Sequence, residues 1–292
     1  MKSQNYVLVV FIFLLLTTLV VRIYRDGQEE MALERQYEVQ GDGRHAGQTL
    51  LQDADSYYAN GVMEDGCIGL HYTAVVNEVS IYYEKAGRGK PVILLHENNG
   101  SHKSLETMIR QLVNAGYEVY APDSRGQGAN PALSEYHYAD MAEDVYSLIQ
   151  EWKLDSPVVY GWSDGGIVGL LLCLHHPGAV KALAVSGANL YPEGLDNSFL
   201  APIRISNALV RTPLSTMILE EPMIDPAELA RIQIPVLVTA GENDIVRKDH
   251  TVLIADSLPD SRLNILPGET HGSYIVDSQI MGNLLIEFLN EI

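Results

Sequence analysis

Cysteine and basic residues are the scarce components of this sequence, and each shortage excludes a class of protein. Cys67 and Cys173 are the two cysteines, and no Cys/His cluster has the spacing of metal ligands. Lysine and arginine together number 19 against 38 aspartate and glutamate residues, which gives a net charge of −19 at pH 7. We therefore expect no metal at the functional site and no nucleic-acid partner, because nucleic acid is held by basic surfaces.

Long hydrophobic runs are also scarce, and the clearest one lies at the N-terminus. Residues 6–21 are apolar, behind Lys2 and ahead of Arg22 and Arg25. A bilayer span needs about 20 residues, so the run is at the short end, and a signal peptide is the alternative. No small-residue cleavage site follows it. We expect an uncleaved single-pass membrane anchor at residues 1–25 and an extracytoplasmic catalytic domain, although the flanking charges nearly balance.

Composition changes twice beyond the apolar run. Residues 26–69 are rich in Glu, Gln, Gly and Asp and have no sustained apolar period, which is typical of a polar connector. From residue 70 onward, apolar residues recur in strand-like and helix-like patterns. Residues 70–292 are enough for one large α/β domain with a fully buried sheet.

Strands and helices alternate through this domain. The predicted strands cover residues 73–76, 79–83, 91–95, 117–121, the apolar run before residue 163, 182–186, 235–240 and 262–266. The predicted helices cover residues 104–115, 138–152, 249–257 and 273–292, and one runs from the turn at residue 163 to residue 176. The first two strands form a hairpin at Asn77-Glu78. The alternation that follows predicts an α/β fold with a mostly parallel central sheet and helices on both faces.

Residues 189–228 interrupt the alternation. A segment of about 40 residues is too long for a plain connection in a compact domain, so we expect it to cover something. Its position and length suit a small lid over the catalytic edge of the sheet.

The turn at Ser163 has the pattern of a nucleophile elbow. Gly161, Ser163 and Gly165 form G-x-S-x-G between an apolar strand and an apolar helix. A nucleophile at the tip of this strained turn crowds its neighbours, so the positions two before and two after it have no room for a Cβ. Ser163 is then exposed at a helix N-terminus, which favours developing negative charge. The alternative is an ordinary Gly-rich turn.

Two later residues are suited to activate this serine. A serine hydroxyl needs a base, and the base needs a partner that fixes its tautomer. Asp244 and His271 both follow predicted strands, and the order Ser, Asp, His is that of an α/β-hydrolase. Glu242 and Asp249 compete with Asp244. Asp244 stands at the loop tip, whereas Asp249 is better placed to cap a helix.

Five segments of the chain resemble the α/β-hydrolase superfamily over residues 79–292. They are Leu94-Leu95-His96, the run from Pro122 to Gly128, Gly161-Trp162-Ser163-Asp164-Gly165-Gly166, Gly241-Glu242-Asn243-Asp244 and Gly268-Glu269-Thr270-His271. The form around Ser163 is similar to the esterase branch that includes biphenyl hydrolase-like (valacyclovir hydrolase-like) enzymes. The resemblance implies Ser163 as nucleophile, His271 as general base and acid, and Asp244 as orienting carboxylate. It also implies an oxyanion hole of the backbone N–H groups of Asn98 and Asp164, with no cofactor.

The loop after the first buried strand departs from the family pattern. The family has His-Gly there, whereas this chain has His96-Glu97. Glutamate adds a Cβ and a negative charge where an oxyanion would form, so either Glu97 turns away or the oxyanion hole is impaired. We expect Glu97, Trp162 and Asp164 to contact substrate, with Trp162 and His96 walling or bracing the site. The Asp164 carboxylate either binds an ammonium group of the substrate or bonds locally.

These residues predict a membrane-anchored serine hydrolase that cleaves a small carboxylic ester through an acyl-enzyme intermediate. The partners expected are a small-molecule ester and, through the N-terminal run, a membrane. One alternative is an amide or peptide hydrolase of aminopeptidase type. Another is a catalytically impaired hydrolase fold that binds a ligand without turnover, which Glu97 would favour.

Overall fold

A computed structural model describes residues 69–292 of the chain. The predicted anchor at residues 1–25 and nearly all of the predicted connector at residues 26–69 lie outside the described residues. Within residues 69–292, no helix combines the length and the apolar character that a membrane crossing requires. The anchor therefore stays a prediction from sequence.

One sheet of eight strands forms the centre of the described part of the chain. The strands are β1 (Leu70–Val76), β2 (Val79–Gly87), β3 (Lys90–Leu95), β4 (Tyr117–Pro122), β5 (Val158–Trp162), β6 (Ala182–Ser186), β7 (Val236–Asn243) and β8 (Ser261–Thr270). Their order across the sheet is β1-β2-β4-β3-β5-β6-β7-β8. β1 pairs antiparallel with β2, and β2 pairs antiparallel with β4. The other pairs are parallel, which confirms the predicted mostly parallel sheet.

The predicted hairpin at the start of the domain is present. Asn77 and Glu78 join β1 to β2 with φ angles of 45° and 66°. Two positive φ angles are the signature of the two-residue turn that matches the twist of paired strands.

Seven α-helices in the described residues connect and cover the strands. They are α1 (Glu106–Asn114), α2 (Tyr138–Glu151), α3 (Asp164–His175), α4 (Asn197–Leu209), α5 (Pro213–Glu220), α6 (Lys248–Ser257) and α7 (Ile280–Glu291). Residues of α2, α3 and α6 join the core cluster on one face of the sheet. Residues of α1 and α7 join the cluster on the other face. The central strands are thus buried on both sides, as their continuous apolar runs predict.

The prediction for the C-terminal segment is wrong at its boundaries. β8 continues past Leu266 to Thr270, and the closing helix begins at Ile280 instead of residue 273. Pro267 and Gly268 suggest the end of a strand, but β8 is an edge strand, where a proline's missing N–H is tolerated. Asp277 has a φ of 50°, so the backbone leaves helical geometry just before α7.

Residues 189–228, predicted as a lid, lie between β6 and β7 and contain α4 and α5. Asp196 caps α4 by accepting a hydrogen bond from Ser198 N–H, and Thr212 caps α5 by accepting one from Ser215 N–H. Leu200 is the one buried residue of α4. Leu200 packs with Leu195 and Val246, so α4 is attached by this small apolar cluster together with its cap and its contacts with α5.

Candidate active site

Ser163 occupies the sharp turn between β5 and α3. Its backbone has φ 55° and ψ −116°, a conformation that is costly for a residue with a side chain. Ser163 N–H donates to the carbonyl of Ser186 at 2.8 Å, and the Ser163 carbonyl accepts from Gly166 and Ile167. These bonds hold the strained turn in place at the N-terminus of α3.

The two flanking glycines are required by close backbone contacts. A Cβ on Gly161 would lie 2.1 Å from the carbonyl oxygen of Gly165. A Cβ on Gly165 would lie 2.3 Å from the carbonyl oxygen of Leu95, on the neighbouring strand. Because both neighbours are backbone atoms, neither contact is relieved by a side-chain rotation. The crowding that the sequence pattern implies is therefore present.

The side chains of Ser163, His271 and Asp244 form a continuous hydrogen-bonded series. The hydroxyl Oγ of Ser163 lies 3.0 Å from Nε2 of His271. Nδ1 of the same imidazole lies 2.6 Å from Oδ1 of Asp244. The structure thus brings together three residues that are separated by up to 108 positions in the sequence.

Asp244 is positioned by the turn that follows β7. Its side chain is 1% exposed. Oδ1 accepts from Val246 N–H at 3.0 Å, and Oδ2 accepts from Gly241 N–H at 3.2 Å. With both oxygens held by backbone donors, Oδ1 is placed to accept from Nδ1–H of His271, which leaves Nε2 facing Ser163 as the acceptor.

The two competing carboxylates are occupied elsewhere. Glu242 accepts a hydrogen bond from Gly268 N–H at 2.9 Å. Asp249 pairs with Arg247 in the first turn of α6. Of these three carboxylates, Asp244 is the one that contacts the imidazole.

Trp162 and Gly187 fix the position of His271. The indole Nε1–H of Trp162 donates to the backbone carbonyl of His271 at 3.1 Å, and the two rings lie 5.7 Å apart. Gly187 has a φ of 58°, and a Cβ there would lie 2.8 Å from the imidazole. Trp162 therefore braces the histidine loop, and Gly187 makes room for the ring. Sequence reasoning missed Gly187, although Ser186-Gly187 directly after a predicted strand is a signal for it.

His96 links the loops that follow β3 and β4. It is fully buried; its Nδ1 lies 2.7 Å from the carbonyl of Glu97, and its Nε2 accepts from Ser124 N–H at 2.8 Å. These two bonds require a neutral ring with the proton on Nδ1. His96 thus connects the two loops through its ring nitrogens.

Glu97 fits into its turn without a strained backbone. The positive φ of this loop, 56°, belongs to Asn99. The Glu97 carboxylate accepts a hydrogen bond from the Ser104 hydroxyl at 2.7 Å and lies beside Gly100, where a Cβ would be 2.4 Å from Oε1. The side chain is thus bound to its own loop.

The Asp164 carboxylate is bonded locally at both oxygens. Oδ2 accepts from Asn98 Nδ2–H at 2.7 Å, and Oδ1 accepts from the Tyr138 hydroxyl at 2.8 Å. Burial raises the pKa of Asp164 to about 6, and the two donors oppose that rise only in part. The side chain of the residue after Ser163 therefore ties the β3 loop to the elbow. Tyr138 was missed at the sequence level because it lies 26 positions before Asp164.

The beginning of the predicted lid is attached to the loop that carries Asp244. Asp196 N–H donates to the Ile245 carbonyl at 2.7 Å, and Arg247 N–H donates to the Gly194 carbonyl at 2.9 Å. A β-bridge pairs Leu195 with Val246 between these two bonds. Movement at the base of the lid is thus coupled to the segment just after the carboxylate.

A mostly parallel sheet with a Ser–His–Asp series at the carboxyl ends of its strands defines an α/β enzyme of the hydrolase class. A family model described as the alpha/beta hydrolase fold matches residues 90–208. This match supports the α/β-hydrolase superfamily as the family of the chain. The resemblance stated from the sequence is confirmed at this level.

Curated relatives share part of the sequence. Human serine hydrolase BPHL is 26% identical over 245 residues, which cover 73% of this chain and 84% of that protein. The AB hydrolase superfamily protein YisY of Bacillus subtilis is 32% identical over 110 residues, or 37% of this chain and 41% of that protein. These likenesses support hydrolase chemistry.

Solved structures share the fold. The esterase EaEST from Exiguobacterium antarcticum superposes with a TM-score of 0.66 at 20% identity, covering 76% of this chain and 99% of that one. A bromoperoxidase from Bacillus anthracis gives 0.63 at 23% identity, covering 76% of this chain and all of that one.

Proposed function

We propose that the protein is a serine hydrolase that cleaves a small carboxylic ester through an acyl-enzyme intermediate. The observation that carries the proposal is the hydrogen-bonded series from Ser163 Oγ through His271 to the buried Asp244. The strained backbone of Ser163 and the two crowded glycines beside it support the same reading, because strain of this kind accumulates at catalytic sites.

The proposed reaction begins when Ser163 Oγ attacks the ester carbonyl carbon. His271 Nε2 takes the hydroxyl proton, and Asp244 stabilises the imidazolium that forms. The tetrahedral intermediate then collapses, and His271 returns the proton to the departing alcohol oxygen. Water enters the acyl-enzyme, gives a proton to His271 and attacks the acyl carbon. The acid leaves, and Ser163 Oγ recovers its proton from the imidazole.

Two backbone N–H groups are proposed to stabilise the oxyanion. Asp164 opens α3, so its N–H has no intrahelical acceptor and lies beside the attacking hydroxyl. Asn98 lies in the β3 loop, and its side chain bonds to the Asp164 carboxylate, which holds the two segments together. Removing one such donor typically costs about 10²–10³ in rate. The Glu97 carboxylate has its own partner in Ser104, which supports a working site over an impaired one.

Covalent labelling tests the proposal directly. The full chain is treated with a fluorophosphonate probe and assayed with p-nitrophenyl acetate and butyrate, beside Ser163→Ala. Ser80→Ala, an exposed serine of β2, is the matched control. We expect wild type and Ser80→Ala to be labelled and active, and Ser163→Ala to lose labelling and about 10⁶-fold in kcat. A folded wild-type chain with neither labelling nor turnover would overturn the proposal in favour of a binding protein.

Amide or peptide cleavage by the same three residues is the alternative within enzymes. It is distinguished by assaying p-nitrophenyl butyrate against the matching butyryl p-nitroanilide. We expect turnover of the ester and a pre-steady-state burst of nitrophenol, since the acyl-enzyme accumulates when deacylation is slower. An anilide kcat/KM equal to or above that of the ester would assign the protein to the amide hydrolases.

A further inference from the structure

A second cluster of titratable side chains lies near the β1 edge of the sheet, away from Ser163. His71 on β1 and Glu84 on β2 are direct cross-strand partners. His102 opens the 3₁₀ turn His102–Leu105 after β3. β2 is three strands away from β5, where Ser163 follows, and this corresponds to about 14 Å across the sheet. The cluster has no part in the proposed reaction.

The donor atoms converge without bonding to one another. Nε2 of His71 and Nε2 of His102 each lie 3.9 Å from Oε2 of Glu84. This distance is too long for a hydrogen bond. One ligand atom from each of the three residues lies within 4.8 Å of the other two. We propose that His71, Glu84 and His102 form a three-ligand site for a first-row divalent metal ion of the zinc class.

Glu84 supplies an observation independent of the distances. Its side chain is 7% exposed, and its Oε1 atom is buried with no hydrogen-bond partner. Buried carboxylate oxygens are rarely left without a partner, because desolvation is costly unless a cation or donor offsets it. Oε2 of the same carboxylate faces both imidazoles, so a divalent ion bound there would offset the desolvation of the whole group.

Asp123 prepares His102 for metal binding. His102 Nδ1 lies 2.8 Å from Asp123 Oδ1, which also accepts from the His102 backbone N–H, while Asp123 Oδ2 accepts from Ala129 N–H. With its proton on Nδ1, the imidazole directs the lone pair of Nε2 toward Glu84. A carboxylate behind a histidine in this way is the usual outer partner of a metal-bound imidazole.

The donor set and spacing select the class of ion. Two imidazoles and one carboxylate suit zinc and its first-row neighbours and leave an open position, whereas magnesium and calcium prefer oxygen donors. Ligand atoms around a tetrahedral zinc ion are about 3.4 Å apart, so the two 3.9 Å distances need to shorten by about 0.5 Å, and the third separation, which is within 4.8 Å, by at most about 1.4 Å. His71 is on an exposed edge strand, which allows a movement of that size.

Zinc titration of the metal-stripped, untagged full chain tests the site. Affinity is measured by competition with a chromophoric chelator, and Co²⁺ is added as a second probe because bound Co²⁺ gives a visible d–d band. We expect one tight site in the wild type. Glu84→Gln and His71→Asn should each weaken zinc binding about 100-fold or more and abolish the Co²⁺ band, since even outer-partner changes cost 10–100-fold.

His175→Asn is the matched control. His175 is an exposed histidine beside Glu143, so its loss removes a surface His–Glu pair without touching the proposed site. It should bind zinc as the wild type does, and zinc should raise the Tm of both but not of Glu84→Gln. Matching Tm values of the metal-free proteins show that the variants are folded. The proposal is overturned by a wild type without a tight site, by unchanged binding in Glu84→Gln and His71→Asn, or by loss of binding in His175→Asn.

Discussion

Gly161 and Gly165 position Ser163 because neither carries a side chain. Each leaves just enough room for a neighbouring carbonyl oxygen, and that contact sets the path of the chain into and out of the nucleophile turn. Ser163 then adopts a backbone conformation that its surroundings impose. The absence of a side chain at Gly161 and Gly165 thus determines where Ser163 places its hydroxyl.

Gly161→Ala is expected to disrupt this turn. The added Cβ would meet the Gly165 carbonyl at 2.1 Å, so the backbone must shift. We expect the free energy of unfolding to fall by about 1–3 kcal/mol, and fluorophosphonate labelling to slow at least about tenfold. Gly169→Ala in α3 is the control, because its nearest neighbour is a methyl of the Leu183 side chain, which can move. Equal labelling rates in the two variants would refute the steric argument.

The Asp164 carboxylate accepts hydrogen bonds from Asn98 and from Tyr138, and substituting each donor separately shows what each bond contributes. Both donate to it, but Asn98 alone belongs to the loop with the second proposed oxyanion donor. We expect Asn98→Ala to lower kcat about tenfold with little change in KM, because the loop loses its tie to the elbow. Tyr138→Phe should lower kcat less. Steady-state kinetics on one ester measures kcat of both variants. A larger kcat loss in Tyr138→Phe than in Asn98→Ala would contradict the proposed role of the Asn98–Asp164 hydrogen bond.

Elements of the fold were predictable where their side chains repeat with a clear period. The continuous apolar runs of the central strands and the buried stripe of α2 gave correct positions. α4 and α5 were not predicted as helices, since α4 contains Pro202 and buries only Leu200. The end of β8 was misplaced because edge strands tolerate Pro267. The helices α4 and α5 and the end of β8 depend on where these segments lie in the folded domain, which a single sequence does not show.

The base of the predicted lid contains a pH-sensitive contact. Nε2 of His250 on α6 accepts a hydrogen bond from Leu190 N–H at 2.9 Å, so the ring must be neutral there. Burial lowers the pKa of His250 below its ordinary value of 6.5. The unfolded chain then binds this proton more readily than the folded chain. Stability from this contact is therefore complete above about pH 6.5 and is lost as pH falls through the lowered pKa.

Denaturant unfolding at about pH 7.5 and about pH 5.5 measures this effect. We expect the wild type to lose stability on acidification and His250→Gln to lose less. His137→Asn is the control of opposite sign, because the hydrogen bond that His137 donates to the Glu221 carboxylate raises the pKa of His137 and favours the folded state at low pH. An identical pH response in wild type and His250→Gln would exclude His250 as the origin.

At the scale of the whole molecule, topology joins residues that the sequence keeps apart. The order of strands along the chain predicted that Ser163, Asp244 and His271 share one edge, because the carboxyl ends of parallel strands meet there. No such rule predicted that His71, Glu84 and His102 converge. That depends on the antiparallel register of β1 with β2 and on the path of the loop after β3. Hence no metal was expected from the sequence, while the structure supplies a three-donor cluster in the described residues.

The net charge of −19 leads to a prediction about cationic substrates. A negative molecule attracts a cationic ester at long range, and salt screens that attraction, since the Debye length falls from about 30 Å at 0.01 M to about 8 Å at 0.15 M. Direct recognition of an ammonium group by Asp164 would instead resist salt and disappear below pH 6 or so, where its pKa of about 6 leaves the carboxyl neutral. A preference that comes from long-range attraction therefore depends on salt, and one that comes from Asp164 depends on pH.

We expect the long-range origin, because both Asp164 oxygens already accept hydrogen bonds. The ratio of kcat/KM for a cationic ester to that for a neutral ester of the same shape should fall toward one as salt rises. Asp164→Asn should show the same salt dependence as the wild type. A ratio that persists at 0.15 M salt or so, falls as pH drops through about 6 and is absent in Asp164→Asn would establish ammonium recognition beside the nucleophile. The preferred substrates would then be esters of amino acids or related amines.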